Sequence, residues 1–109
     1  MIFVPPKGSA SEVRGKALNV NLSTCRIALY INVPNWGWAS KPYLNDPYTS
    51  IASDGTWAAY YATGGNDVNA TEIIAFLLPS SYNAPVFEQR SSLPRELFDN
   101  CAAYVQVAR

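Results

Sequence analysis

Trp36 and Trp38, separated by a single glycine, are the residues of this chain best suited to chemistry. That chemistry is stacking, not bond making. An indole offers a broad, rigid, apolar face with a polar edge, and little rotamer freedom is lost when something lies on it. In an extended segment, residues two apart point the same way at about 6.6 Å spacing. This span is on the scale of neighbouring sugar rings in a β-linked glucan. Pyranose rings present C–H groups on their faces and hydroxyls around their rims, so aromatic planes receive the faces and polar groups bond the rims. Tyr43 and Tyr48 follow in the same stretch, each after a proline that stiffens the backbone before a ligand arrives. Each reads either as part of the platform or as loop packing. Asn35, Lys41, Asn45 and Asp46 are the nearest groups able to bond sugar hydroxyls. For Trp38 the alternative is a plug at the end of the core.

Bond-making chemistry is poorly supplied. The chain has no histidine, which removes the commonest general acid or base and every histidine-based triad. Gly64-Gly65 lies in no phosphate-binding pattern. A glycosidase needs two facing carboxylates, and most of the eight acids sit beside turn residues, where Asp commonly shapes backbone. Asp54, before Gly55, is read as a turn residue. Asp67 and Glu72 could share a hard cation such as calcium, but no spaced loop of oxygen ligands accompanies them. The chain is therefore expected to be no enzyme and to carry no cofactor.

The 109 residues suit one domain, with residues 1–11 as a linker or leading edge strand. Apolar residues make up 49% of the chain and mark it as globular. Charged residues reach only 15% and the net charge is zero, so neither a nucleic acid backbone nor an anionic membrane is an expected partner. The longest apolar stretch, Ile73 to Leu78, is too short to span a bilayer. Residues 1–4 are too short for the apolar part of a signal peptide, so an export signal is expected to have been removed or to lie upstream. A secreted monomer is the expectation. Cys25 and Cys101 open two expected strands near the ends of the fold. They read as a disulfide if those strands are neighbours, and as buried free thiols otherwise.

Short β-prone runs separated by Pro, Gly, Asn and Asp predict an all-β, antiparallel sandwich of about five to eight strands, Ig-like or jelly-roll-like. Strands are expected over 13–20, 26–33, 56–63, 70–78 and 101–108, with a weaker edge over 82–89. Ile27, Leu29, Ile31 and Val33 alternate with Arg26, Ala28, Tyr30 and Asn32, so Tyr30 is expected on a polar face. The almost wholly apolar run 70–78 is expected at the centre, covered on both faces. Trp57 follows a turn and reads as core. Tyr60 and Tyr61 point to opposite faces. One helical turn is expected near Ser92–Leu97, with Ser as cap. Residues 35–53 read as one long irregular loop, and loops of that length tend to carry function.

Two blocks of this chain, VPNWGWASKPYLNDPYTSIASDGTW (33–57) and TGGNDVNATEIIAFLLP (63–79), resemble the β-sandwich carbohydrate-binding modules of family 81, known from soil metagenomic glucanases. The shared pattern is a Trp-rich stretch leading to Lys-Pro, then Asp-Gly-Thr-Trp, then Thr-Gly-Gly-x-Asp and Ala-Thr-x-Ile-x-Ala. The likeness covers nearly the whole chain and maps onto Trp36, Trp38, Lys41, Pro42, Trp57 and Asp67. Many relatives set their two tryptophans side by side, whereas Gly37 separates them here. The resemblance implies binding to β-glucans such as β-1,4-glucan, xyloglucan and cello-oligosaccharides on a flat aromatic surface, beside a separate catalytic domain in the parent protein. An Ig-like structural or adhesion domain that contacts protein is the rival reading, since exposed aromatics also mark protein interfaces.

Overall fold

Alternation along two long apolar strands builds the centre of the molecule. In the computed structural model, which describes residues 2–9, 11–17 and 24–109, β3 (Cys25–Val33) pairs antiparallel with β7 (Glu72–Pro79) over eight positions. Ile27, Leu29 and Ile31 of β3, with Ile73, Ala75 and Leu77 of β7, point to one face of this pair. Ala28 and Tyr30, with Ile74, Phe76 and Leu78, point to the other. This is the period-2 geometry of a strand, and here both sets are buried.

The large sheet runs β4 (Gly37–Lys41), β3, β7 and β8 (Ala103–Ala108). A two-residue strand, β5 (Tyr48–Thr49), adds to the first half of β3. A small sheet of β1 (Ile2–Phe3), β2 (Val13–Lys16) and β6 (Thr56–Ala59), in the order β1-β2-β6, covers the first face. All pairings are antiparallel, and the two sheets share one core in a β-sandwich-like fold. From the small sheet Val13, Trp57 and Ala59 enter that core. Trp57 is thus a core residue. Its indole lies across Gly15, where a Cβ would stand 2.4 Å from the ring, so only glycine admits this approach.

The second face of the large sheet is covered by a layer without strands. Ala84, Leu97 of α1 (Arg95–Asn100), Tyr82, Phe87 and Leu93 pack on it. Tyr30 is only 1% exposed in consequence. It stacks on Phe87 at 5.3 Å, meets Phe76 edge-on, and donates its hydroxyl to the Pro85 carbonyl at 2.8 Å. The expected polar face of β3 is therefore a second core, satisfied at its one polar tip.

Other expectations are corrected locally. Residues 35–53 are not one irregular loop but contain β4 and β5. The ladder of β6 ends at Ala59, beyond which Tyr60 is exposed and Tyr61 buried. The helix starts after Pro94 and has no side-chain cap, so Ser92 does not play that part. The expected strand over 13–20 is β2 as far as Lys16, and Leu18, Asn19 and Val20 fall outside the described residues. Cys25 borders the first core and Cys101 the second, with β7 between β3 and β8, and both thiols are free. Burial pushes the Cys101 thiol up from its ordinary range.

The two ends of the described chain meet. The Arg109 guanidinium donates to the carbonyls of Pro5 at 2.6 Å, Val68 at 2.9 Å and Ala70, and its charge lies over the Tyr61 ring. Among the described residues no helix is long and apolar enough to cross a membrane.

Candidate functional site

Trp36 and Trp38 do not share a face. Pro34 and Asn35 form the tip of the β3–β4 hairpin. Asn35 takes a positive φ of 63°, and the Trp36 N–H donates to the Val33 carbonyl at 3.0 Å. Pro at the second place and a left-handed Asn at the third are the signature of a type II turn. Asn35 is thus exposed, but its part in the fold is to turn the chain. Gly37 follows with φ 114° and lies against the Arg90 carbonyl, 2.6 Å from where a Cβ would be. The chain rotates between the two tryptophans, so the same-face rule, which holds inside a strand, does not apply across them.

Trp38 therefore enters the second core and is 7% exposed. It is a packing residue and no platform. Tyr48 is half-buried for a related reason: Arg26 lies 3.4 Å over its ring, and its hydroxyl accepts the Ala84 N–H at 2.8 Å. Tyr43 is 54% exposed, beside exposed Leu44, in a tight turn closed by the Asp46 N–H on the Tyr43 carbonyl. Asn45 and Asp46 are exposed in that turn. The expected ledge of Trp36, Trp38 and Tyr43 is not assembled. Phe98 and Tyr104 form another exposed aromatic group over Phe76, but their planes cross at 88° and offer no flat surface.

Trp36 instead stands on the wall of an open groove of about 360 Å³. Val33 and Lys41 line it from the hairpin, Thr63 to Asp67 from the loop after β6, and Glu88 from the covering layer. Trp36 is half-buried and rests against the first core, so its ring is held before any ligand arrives. Lys41 lies on the face of β4 opposite Trp38. Its ammonium donates to Asp67 Oδ2 at 2.7 Å and to Thr63 Oγ1 at 3.0 Å. The same carboxylate oxygen accepts the Thr63 N–H at 3.0 Å. Lys41 is 9% and Asp67 8% exposed, so this is a buried ion pair that fastens the 63–67 loop to β4. The pair cancels its own charge. Glu88 is left as the groove carboxylate with no ion pair among the described residues.

Lys41 reads from sequence as one of the groups able to bond sugar hydroxyls, and in the structure its ammonium is taken up by Asp67 and Thr63. The calcium reading of Asp67 with Glu72 is corrected too. Asp67 is occupied by Lys41 and Thr63, while Glu72 accepts from Asn32 and Gln106 in the large sheet. Asp54 is a turn residue as read: Oδ1 takes the Thr56 N–H and hydroxyl, and these bonds hold its carboxyl below the usual range. The sequence reading missed Thr63, Asn66 and Glu88 as groove walls. The available signal was Lys41 itself, a cation inside an otherwise buried strand, which needs a carboxylate brought to it. No family model, no curated protein and no solved structure matches this chain.

Proposed function

We propose that this domain is a non-catalytic carbohydrate-binding module that holds a neutral β-glucan strand in the Trp36 groove. The carrying observation is the groove's mixed chemistry: a preset indole shares its lining with hydroxyl, amide and backbone groups from Thr63 to Asn66. A pyranose needs both, since its face is apolar and its rim is polar. The resemblance of the 33–57 and 63–79 blocks to family 81 modules supports the same reading. Charge narrows the ligand. With Lys41 neutralised by Asp67 and Glu88 unpaired, the groove disfavours an acidic polysaccharide and suits an uncharged one. Hydrolysis requires a second free carboxylate across the groove, and Asp67 is committed to its cation. The role is then to tether a linked catalytic domain to its substrate and raise the local concentration.

Affinity electrophoresis through gels containing xyloglucan or mixed-linkage β-glucan tests this. The native chain is retarded, and Trp36→Ala runs as in a blank gel with an unchanged circular dichroism spectrum. Absence of retardation by every neutral β-glucan tried, or undiminished retardation of Trp36→Ala, overturns the proposal.

A further inference from the structure

The two outer edges of the large sheet are treated differently. Along β4, the N–H groups of Trp38 and Ser40 donate to Arg90 and Phe87 carbonyls at 2.7 and 2.9 Å, and the Arg90 N–H returns to Trp38. That edge is closed. Along β8, nothing among the described residues pairs with the outer side. The Arg109 N–H donates to the Thr71 carbonyl, which continues the register Glu72↔Ala108 to Leu77↔Ala103 and sets its phase. Ladder bonds in an antiparallel pair alternate. Residues 103, 105 and 107 therefore bond β7, and Tyr104, Gln106 and Ala108 turn their N–H and C=O groups outward.

Among the described residues this edge carries none of the usual protections. The stretch Ala-Tyr-Val-Gln-Val-Ala has no charge and no proline, although open edges are ordinarily blunted by such residues because they template pairing. Its side chains are exposed on both faces, Tyr104 and Val105 included. The nearest cation, Arg109, is turned inward onto carbonyls. The nearest carboxylate, Glu72, holds Gln106 at 2.6 Å.

We infer that β8 is a self-pairing edge that joins two copies of this chain into one continuous antiparallel sheet. A two-fold axis at Gln106 sets Gln106 opposite its mate, Tyr104 opposite Ala108, and Val105 opposite Val107. Every outward N–H and C=O then finds a partner, about six ladder bonds in all. The large ring meets the small methyl, the β-branched side chains pair across the strands, and no like charges face each other. The zero net charge of the chain adds no long-range repulsion between copies.

Sedimentation velocity on the chain from about 1 to 100 µM tests it, since self-association grows with concentration by mass action. The native chain is expected to shift from monomer to dimer. Gln106→Pro removes an outward N–H and no inward ladder bond, and is expected to weaken the dimer by roughly tenfold or more with unchanged circular dichroism. Should that variant not fold, Gln106→Cys serves instead. Its mate would lie about 5.5 Å away, Cα to Cα, within reach of a disulfide. Mild oxidation is then expected to yield a covalent dimer, while Tyr60→Cys, at the exposed position just after β6, stays monomeric. A native chain that remains monomeric throughout overturns the inference, and retention of an added extended peptide by that monomer would identify a different strand as the occupant. A dimer undisturbed by Gln106→Pro, or one that Gln106→Cys does not cross-link, overturns it as well.

Discussion

Trp36 and Trp38 stand one residue apart and live in different environments. Trp38 is sealed under the covering layer with Tyr30 and Phe76. Trp36 lies on the far side of the hairpin tip, its inner part on the first core and its outer part in an open groove. The difference arises in two backbone positions, the left-handed Asn35 and the positive-φ Gly37. Identical side chains thus acquire a buried place and a groove-lining place from the turn between them. The lesson is that the face of an aromatic residue is decided by where the strand begins.

Four experiments can break or sharpen this contrast. The largest effect is expected at Trp38, where truncation to Ala empties a packed site. Trp38→Ala should cost about 3–5 kcal/mol, read as a lowered midpoint in chemical denaturation. A change below about 1 kcal/mol, as typical of surface sites, would show that the ring is not core.

Next comes the ion pair beneath the groove. Lys41→Met leaves Asp67 buried without its cation, which should cost about 3 kcal/mol. The double variant Lys41→Met/Asp67→Leu should recover part of this, and a double-mutant cycle isolates the coupling.

Alkaline pH should act on the covered side. Burial, and then the Glu96 carboxylate that its hydroxyl bonds, push the Tyr82 phenol up to about 12. Burial raises Tyr30 as well, with the neighbouring Tyr48 and Tyr82 adding to it. The unfolded phenols ionise near pH 10. Below that both states keep the proton; above it the unfolded state loses protons first, so stability falls as pH rises from 10 through 12. Thermal melts of Tyr30→Phe should show a shallower loss than the native chain over that window.

The smallest stability changes are expected at the open rings. Trp36→Ala, half-buried, should lose about 1 kcal/mol while abolishing retardation in glucan gels. Tyr43→Ala, free of the groove, should stay within about 0.5 kcal/mol and keep most of its retardation. Equal loss of binding in both variants would move the site toward the β4–β5 turn.

Much of the fold was readable because it rests on local patterns. The alternation of Ile27, Leu29, Ile31 and Val33, the apolar run of β7, and the Asp54-Gly55 turn each carry their meaning within a few residues. Burial of Tyr30 did not, because the layer that covers it comes from residues more than fifty positions away. The same distance hid the groove. Lys41 and Asp67 are 26 residues apart, and no local periodicity joins them. Trp36 was expected to stand open from its type and neighbours, and it lines the groove, while Trp38, read as either platform or core plug, is the plug; the platform reading had extended strand geometry across a turn.

The Arg109 guanidinium holds the carbonyls of Val68 and Ala70, just after Asp67, together with that of Pro5. The segment at Pro5 and the segment just after Asp67 are therefore held to one another through this one side chain. Removing it would free two backbone carbonyls within three residues of the groove's carboxylate, so the floor of the groove is fastened from a point far along the chain.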